Sequence, residues 1–453
     1  MHPKRFRICF LILLAALLVA CATPAPVQPE TEPTLAPTTP PATETTAPIV
    51  AETEPHEPET LPQPEPITKV AEATIAATGD LLMHLPVINS GLQRDGSYDF
   101  ARMFQHLSPY VTQADYAVIN LETTLCGTGN GYAYSGYPKF NCPDGIVTSA
   151  GAAGFDMLLT ANNHCNDTGT TGFDRTLRVI AENGLASLGT KATVEEPDYQ
   201  IVTLNGISLG LICYTYTIPI ESGQLNVNGL PLKGNTADRI NLFDYENLDA
   251  FYSRFRSQLD AMKTDGAEAV VLFIHWGEEY RLTPTRYQKA MAQELCNLGV
   301  DVIIGNHPHV IQPAELLTSD QDPEHKTFCL YSTGNAVSNQ REGSVSALKT
   351  AHTEDGVLLS VTFARYSDGS VVLDDVNALP FWVHRTGSGS SRAFYLLPLD
   401  PDTRDDWKTL YGLSSGAAAQ AEDSWERTME QLGTGVEDCR QWISQRFTRR
   451  HKE

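Results

Sequence analysis

The feature that most constrains the fold is an alternation of short β-rich runs with longer helical patterns, which begins at Lys69. Within residues 171–182, Phe173, Leu177 and Ile180 have the spacing of one helix face. Strands are predicted over 73–78, 116–120, 157–160, 199–204, 207–214, 269–274, 300–304 and 327–331, and helices over 100–111, 146–153, 171–182, 245–262 and 284–297. Alternating strands and helices indicate an α/β domain.

Two hairpin signals make the predicted sheets mixed rather than purely parallel. Asn205-Gly206 separates two strand candidates, and a turn near 367–369 divides residues 356–374 in the same way. From Asp402 the pattern is helical and amphipathic. We therefore expect one large domain over residues 69–400, followed by a helical C-terminal extension over residues 401–453.

The N-terminus has the pattern of an export signal. A basic start, residues 1–7, precedes thirteen largely apolar residues, 8–20. Thirteen residues are too few to span a hydrocarbon layer of about 30 Å as a helix, so residues 1–20 are predicted to be a signal peptide. Leu18-Val19-Ala20-Cys21 resembles the lipobox of bacterial lipoproteins. We expect lipidation at Cys21 and a lipid-anchored, extracytoplasmic protein at the bacterial cell membrane, with cleavage without lipidation as the alternative.

Composition separates a tether from the body of the chain. Residues 22–68 hold 13 of the 28 prolines and eight glutamates but no Lys or Arg, so residues 21–68 are predicted to be a disordered tether. Without residues 1–68 the body keeps 29 basic and 47 acidic side chains, and 29 − 47 gives a net charge of −18. Affinity for nucleic acid comes largely from Lys and Arg, so nucleic acid is not an expected partner.

Cysteine usage leaves the disulfide question open. Of nine cysteines, Cys9 and Cys21 lie in or beside the leader, and the remaining seven are an odd number. Cys126 and Cys142 flank a Gly/Tyr-rich loop and are candidates for a disulfide in an oxidising compartment. The sequence contains no CxxC spacing, which argues against a structural zinc site made of cysteines.

Polar clusters follow five of the predicted strands. Ligands of open α/β sheets bind beyond the carboxyl ends of the strands, so these clusters are expected to lie together. Imidazole and carboxylate ligands together suit Zn, Mn or Fe, and the stiffened His307-Pro308-His309 spacing places two imidazoles on one side of an extended segment. The side chains suited to metal binding or proton transfer are Asp80, His84, Asn120, Glu122, Asn162, Asn163, His164, Asp167, His275, Glu278, Glu279, His307, His309 and Asn335.

The clusters together resemble a known family. Between about Thr74 and Asn335 the chain contains, in order, GDLLMH, NLET, ANNHCNDTGTTGFDRT, HWGEEY, IIGNHPHVIQPAE and YSTGN. This order is similar to that of the CapA family, the bacterial capsule-synthesis and poly-γ-glutamate biosynthesis domain, which is related to the calcineurin-like metallophosphatases. The resemblance implies a four-layer α/β/β/α sandwich of two mixed sheets between helices, and a role in making or exporting an anionic polymer with other capsule-synthesis subunits.

The resemblance also implies roles for individual residues. It implies that a divalent metal (Mn, Zn or Fe), as one or two ions, is held by Asp80, Glu122, Asn163, His275, His307 and His309. It makes His164 the general acid for the leaving group, with Asp167 as the residue that orients it. Two positions depart from the metallophosphatase pattern: Leu82 stands where a histidine is expected, and Glu122 replaces a shorter bridging aspartate.

Three hypotheses remain open on the sequence, of which the third, a degenerate structural relative, is disfavoured by the retained His, Asn and Asp side chains. The first is a metal-dependent hydrolase acting on a phosphate-containing or γ-glutamyl substrate, with Glu278 or Glu279 contacting substrate amines or serving as a base. The second is a non-catalytic assembly component that binds an anionic polymer on a degenerate metallophosphatase fold. Secondary site candidates are His84, Asn120, Asn162, Glu279 and Asn335. In either case an acidic body repels an anionic polymer unless a metal or local basic residues intervene.

Overall fold

The computed structural model describes residues 66–450 apart from 130, 221, 222, 345 and 348, and for residues 447–450 it describes the backbone alone. The predicted signal peptide, Cys21 and almost all of the predicted tether lie outside the described residues. Within the described part, no helix combines the length and the apolar character that crossing a bilayer requires.

The described residues contain seventeen strands and ten α-helices. The strands are β1 (Lys69–Leu81), β2 (Tyr116–Asn120), β3 (Met157–Leu159), β4 (Ala186–Leu188), β5 (Tyr199–Leu204), β6 (Ile207–Thr217), β7 (Asn226–Val227), β8 (Leu230–Pro231), β9 (Leu242–Asp244), β10 (Ala269–His275), β11 (Val302–Asn306), β12 (Ile311–Thr318), β13 (Lys326–Thr333), β14 (Asn335–Val337), β15 (Asp355–Tyr366), β16 (Val371–Thr386) and β17 (Ala393–Pro398). The helices are α1 (Leu85–Ser90), α2 (Ala101–Phe104), α3 (Ser108–Val111), α4 (Gly145–Ala152), α5 (Gly169–Glu182), α6 (Leu248–Thr264), α7 (Arg286–Asn297), α8 (Trp407–Leu410), α9 (Ser415–Leu432) and α10 (Gly435–Arg450).

Two large mixed sheets form the centre of the fold. The first has the order β17-β16-β15-β1-β2-β3-β4, with β14 paired to β1, and its β1, β2, β3 and β4 run parallel. The second has the order β12-β13-β11-β10-β6-β5, with β9 paired to β6, and its β6, β10, β11 and β13 run parallel. The hairpin predicted at Asn205-Gly206 is the antiparallel β5–β6 pair, in which Leu204 faces Ile207.

Alternating side chains along the strands sort the core into layers. Ile75 of β1 packs with Leu211 of β6 and Phe273 of β10 in the core between the two sheets. The neighbouring residue Ala76 faces the other way, toward a core shared with α1 to α5, and Leu272 of the second sheet faces α6 and α7. The predicted α/β fold, a four-layer α/β/β/α sandwich with mixed sheets, is therefore confirmed.

The C-terminal helices pack on this sandwich. Leu432 at the end of α9 and Cys439 and Ile443 of α10 are buried in the core between the two sheets, and both helices lie against β12 and β16. The helical pattern predicted from Asp402 is present as a 3-10 turn, Pro401–Asp406, followed by α8, α9 and α10.

A divided helix and an absent disulfide differ from the sequence expectations. The helix predicted over 100–111 is divided into α2 and α3, and Pro109, which has no N–H to continue a helical hydrogen-bond ladder, lies inside the predicted segment. The candidate pair Cys126 and Cys142 is not bridged, since both are free thiols.

Candidate metal centre

The candidate ligands converge where parallel strands of the two sheets end. Asp80 is the last residue but one of β1 and Glu122 follows β2, while His275 is the last residue of β10. His307 and His309 come directly after β11, which pairs in parallel with β10 so that His275 faces Asn306. All five side chains are buried. The strand-end clusters predicted from the sequence therefore do lie together.

The first group of ligand atoms joins Asp80, Glu122 and His309. Nδ1 of His309 lies 3.1 Å from Oδ2 of Asp80, and Nε2 of the same ring lies 3.8 Å from Oε1 of Glu122. One ligand atom from each residue lies within 4.8 Å of the other two. This group has the size and composition of a divalent-metal site.

The second group joins Glu122, His275 and His307. Nε2 of His275 lies 3.5 Å from Oε1 of Glu122 and 3.1 Å from Nδ1 of His307. Oδ1 of Asn163 adds a further oxygen 2.9 Å from Nε2 of His275. Glu122 is thus common to both groups.

The surroundings of Glu122 show whether this set of side chains is suited to binding a cation. Both of its carboxylate oxygens are buried and have no hydrogen-bond partner among the described residues. A buried carboxylate without partners is strongly unfavourable unless a cation or a proton compensates it. The nearby donor set, made of imidazole nitrogens with carboxylate and amide oxygens, suits Mn, Zn or Fe. The residues therefore fit a divalent-metal centre.

Burial and charge set the protonation of the centre. Burial, with the charges of Asp80 and Glu279, raises the pKa of Glu122 well above its ordinary value. Burial lowers the pKa of His275 to about 3 and, with the neighbouring imidazoles, lowers the pKa of His307 well below its ordinary value. Both rings are therefore held neutral, and the neutral imidazole is the form that binds a metal.

Asp80 and His309 behave differently because they form a pair. Burial lowers the pKa of His309, but the hydrogen bond to Asp80 and the charge of that carboxylate outweigh burial and raise it. Burial likewise raises the pKa of Asp80, but His309 outweighs burial and the pKa of Asp80 falls below its ordinary value. Each residue therefore favours the charged form of the other, and the two side chains lie within ion-pairing distance.

The segment carrying the two terminal histidines has an unusual backbone. His307 has φ 98° and His309 has φ 57°, a region that residues other than glycine seldom adopt. Asn335 anchors the segment, since its Nδ2 donates to the carbonyl oxygens of His309 and Thr353, each at 3.0 Å. The surrounding hydrogen bonds thus hold a strained backbone in the position that brings both rings into the centre.

A chain of amides positions Asp80. Nδ2 of Asn120 donates to Oδ1 of Asp80 at 2.7 Å, and Nδ2 of Asn162 donates to Oδ1 of Asn120 at 3.1 Å. Gly79 lets the strands approach closely, because a Cβ there would lie 1.9 Å from the carbonyl oxygen of Gly334. The secondary candidates Asn120, Asn162 and Asn335 therefore position the ligands.

His164 and Asp167 form a separate buried pair beside the ligands. Nδ1 of His164 lies 2.7 Å from Oδ2 of Asp167. The same carboxylate oxygen accepts a hydrogen bond from the backbone N–H of Phe140 at 2.6 Å. An ionised carboxylate only accepts hydrogen bonds, so Nδ1 carries the proton and Nε2 is left to exchange a proton with a substrate.

Three residues that were not identified from the sequence lie against the His164–Asp167 pair or the ligand His307. Nδ2 of Asn228, in the turn between β7 and β8, donates to Oδ1 of Asp167 at 3.3 Å. The ring of Phe140 packs edge-on against His164 with centroids 4.6 Å apart, and the hydroxyl of Tyr216 lies 3.4 Å from Nε2 of His307. Asn228 is followed by glycine, which signals a turn, but no feature of the sequence relates that turn to His164.

Other candidates lie outside the buried centre. Glu278 is exposed and forms an ion pair with Arg281 at 2.9 Å, so the structure does not bring it to the ligands. Glu279 is closer, because its charge contributes to the raised pKa of Glu122. His84 belongs to neither ligand group, since its ring packs edge-on against Phe140 at 5.4 Å, and burial lowers its pKa to about 4.

The position expected for a further histidine is not polar. Leu82 is buried, and its backbone N–H donates to the carbonyl oxygen of Val337 at 3.0 Å. His84, two residues later, does not replace the expected ring in the group of Asp80, Glu122 and His309. That group therefore has fewer protein ligands than the group around His275.

A four-layer sandwich with buried carboxylates and imidazoles at its strand ends defines an α/β protein with a candidate divalent-metal centre. Residues 74–340, more than half of the chain, match the family model described as bacterial capsule synthesis protein PGA_cap. The chain belongs to this family.

Curated relatives have names that agree with the family. Capsule biosynthesis protein CapA of Bacillus anthracis is 28% identical over 308 residues, covering 66% of this chain and 68% of the relative. PGA biosynthesis protein CapA of Bacillus subtilis (strain 168) is 26% identical over 240 residues, covering 52% of this chain and 57% of the relative. Among solved structures, a putative 5'-nucleotidase from Staphylococcus aureus in complex with alpha-ketoglutarate is similar with a TM-score of 0.39 and 14% identity, covering 75% of this chain and 58% of its own.

Proposed function

We propose that this protein acts in the synthesis or export of a capsule polymer of the poly-γ-glutamate type, through a metal-dependent hydrolase centre. The family match and the names of the two CapA relatives support the biological role. The observation that carries the chemical part is the position of Glu122, which belongs to both groups of metal-ligating residues and whose buried carboxylate oxygens have no hydrogen-bond partner among the described residues.

In the proposed reaction, the metal-ligating residues and the His164–Asp167 pair have different roles. Divalent ions at this ligand set would supply an activated water molecule and polarise a phosphoryl or amide carbonyl oxygen. Water supplies the hydroxyl group as the bond to the leaving atom breaks, and Nε2 of His164 donates a proton to that atom. Asp167, hydrogen-bonded to Nδ1 of His164, stabilises the charged ring before transfer and fixes its orientation.

The surroundings of His164 support its role as the acid. Phe140 packs against the ring from one side, and its N–H fixes the Asp167 carboxylate. Nδ2 of Asn228 donates to the other carboxylate oxygen. The imidazole is therefore held in one orientation, as a general acid must be when the leaving group is close.

A second candidate function is a non-catalytic assembly component that binds polymer in the same place. The observation that favours it is the buried, apolar Leu82 at a position where the resemblance implies a metal-binding histidine. A centre with one complete ligand group would still hold a cation, and that cation would bind an anionic chain without cleaving it.

The proposed location rests on the sequence alone. The basic start, the apolar run and Cys21 favour export and lipid anchoring, and the Pro/Thr/Glu-rich tether over residues 21–68 would hold the domain away from the membrane. Other capsule-synthesis subunits and the anionic polymer itself are the proposed partners.

Hydrolysis by the full chain tests the catalytic proposal. A chromogenic phosphodiester and a γ-glutamyl anilide are assayed with and without added Mn, Zn or Fe, in the wild type and in Glu122→Ala. Metal-dependent turnover of one substrate that is abolished in Glu122→Ala supports the hydrolase. Bound metal without turnover, together with loss of polymer in a deletion strain, supports the assembly function instead.

A further inference from the structure

A cavity of about 780 Å³ opens beside the His164–Asp167 pair. Its walls come from the loop over residues 131–139, from the start of α5 and from the β7–β8 hairpin with the residues that follow it. Asp167 itself lines the cavity. The cavity therefore adjoins the proposed acid.

Two lysines give this cavity its charge. Lys139 and Lys233, one from each of two wall segments, line it, and both are exposed. Among the described residues, no carboxylate lies within 4.0 Å of either ammonium group. The remaining charged residue of the lining, Asp167, already accepts hydrogen bonds from Phe140, Asn228 and His164. The lining therefore has two lysines against one carboxylate, so an incoming anion meets a net positive charge and two ammonium groups without an ion-pair partner in the described part of the chain.

A second cavity near the ligands has the opposite charge. It measures about 510 Å³ and is lined by the carboxylates of Asp244, Glu246 and Glu278 and by the rings of Tyr245 and Tyr287, without Lys or Arg. Gly277, which lies two residues beyond the ligand His275, also lines it. An anionic group is therefore favoured in the lysine-lined cavity and disfavoured in this one.

We propose that the cavity containing Lys139 and Lys233 binds a negatively charged leaving-group portion of the substrate. The proposal rests on the proposed function, because His164 gives its proton to the leaving atom and its partner Asp167 lines this cavity. Two lysines attract carboxylate or phosphate oxygens as point charges without demanding planar geometry.

This cavity also explains how a protein with a strongly acidic body can bind an anionic polymer. The body has a net charge of −18, which repels polyanions at long range. Screening limits that repulsion to about 8 Å at physiological ionic strength, so two local lysines dominate for an anion inside the cavity.

Binding by the full chain tests the proposal independently of turnover. Affinity for hexa-γ-glutamate is measured by titration calorimetry in EDTA, for the wild type and for the double variant Lys139→Gln/Lys233→Gln. The matched control, Lys263→Gln/Lys408→Gln, removes the same charge at two other exposed lysines, on α6 and α8, which do not line the cavity. We expect binding about tenfold weaker in the cavity variant, with the control unchanged.

Two further test ligands identify the chemical group that the cavity binds. Tripolyphosphate replaces hexa-γ-glutamate to distinguish phosphate from carboxylate, and hexaglycine serves as the neutral chain. Lysine-dependent binding of either anion supports the proposal and identifies the source. Equal affinity in wild type and cavity variant for both anions, or equal binding of hexaglycine and hexa-γ-glutamate, overturns it.

Metal content and turnover of the same preparations separate the two proposals. Lysine-dependent binding in a protein that neither holds metal nor hydrolyses substrate refutes the hydrolase and leaves the anion cavity standing. Metal-dependent turnover that is unaffected in Lys139→Gln/Lys233→Gln, with unchanged anion affinity, refutes the cavity and leaves the hydrolase standing.

Discussion

Oε1 of Glu122 lies 3.5 Å from Nε2 of His275, although Glu122 follows a strand of the first sheet and His275 ends a strand of the second. The carboxylate thus spans the junction between the sheets. An ion bound there would have ligands from both sheets. Metal binding and the packing of the two sheets are therefore expected to be coupled.

Removing the proposed acid should separate catalysis from metal binding. In His164→Asn we expect turnover to fall by about 10²- to 10⁴-fold, because general acid catalysis contributes on that scale. Metal content should stay at the wild-type level, since His164 belongs to neither ligand group. Steady-state kinetics with metal analysis measure both quantities. Loss of metal in this variant would show that His164 is a ligand instead.

Asp167→Asn tests the orienting role. The variant keeps the size of the side chain but weakens its hold on Nδ1 of His164, so we expect turnover to fall about 10- to 100-fold. Thr171→Ser, a change at another residue of the same cavity wall, is the control. An Asp167→Asn variant as active as the control would contradict the assignment.

An ion pair between the partly exposed Arg427 and the buried Asp355 fixes α9 to the sandwich, and its loss should be costly. Arg427 donates to Asp355 from Nε at 3.0 Å and from Nη2 at 2.8 Å, and Ser424 adds a hydrogen bond at 2.6 Å. Arg427→Met leaves a buried carboxylate without its partner, which should cost about 3–5 kcal/mol in the free energy of unfolding. Adding Asp355→Asn should recover part of that loss.

Denaturant unfolding measures these differences, and an exposed pair provides the control. Arg440 of α10 contacts Asp375 at 3.0 Å, with both side chains about half exposed. Arg440→Met should therefore cost only about 0–1 kcal/mol. Equal effects of the two arginine substitutions would contradict the burial argument.

Asp355 also predicts a pH dependence of stability. Burial raises its pKa to about 6, despite the opposing effect of Arg427. A pKa raised in the folded state stabilises the fold at pH values below the unfolded pKa, near 4, and this contribution is lost as the pH rises through 6. Relative to Asp355→Asn, the wild type should lose up to about 3 kcal/mol between pH 4 and pH 6. A difference in the free energy of unfolding between the two proteins that stays constant from pH 4 to pH 6 would refute the raised pKa of Asp355.

Gly79 should tolerate no side chain. A Cβ would lie 1.9 Å from the carbonyl oxygen of Gly334, so Gly79→Ala forces β1 away from β14 beside the ligand Asp80. We expect lower thermal stability and weaker metal binding. Gly96→Ala, where a Cβ has no neighbour within 4 Å but φ is positive, is the control for backbone strain alone. Metal affinity in Gly79→Ala equal to that in Gly96→Ala would contradict the close-approach argument.

Much of the fold was predictable because apolar periodicity is local. The strand Tyr116–Asn120 has the predicted bounds, and α5 differs from its prediction by two residues at the start. Short strands such as Leu242–Asp244 and Asn335–Val337 were missed, because three residues carry too little periodicity and these strands exist only through pairing with β6 and β1.

The site was predictable where the chemistry is concentrated in short motifs. Asp80 and His309 belong to conspicuous clusters and do meet, although 229 residues separate them. Asn228 lies in an ordinary turn, so only the folded chain shows its contact with Asp167. The exposed Glu278 shows the converse: adjacency to a ligand in sequence does not place a side chain in the centre, since the chain turns at Gly277 with φ 89°.

Metal content of the full chain tests whether Glu122 is shared by two metal-binding groups. Mass spectrometry of Mn, Zn and Fe is performed on the wild type and on Glu122→Ala, His275→Ala and His309→Ala, with His84→Ala as the control outside both ligand groups. Because Glu122 is shared, we predict about two ions per chain in the wild type and the greatest loss in Glu122→Ala, with smaller losses in the two histidine variants and none in the control. A Glu122→Ala protein that retains the metal content of the wild type would contradict the account.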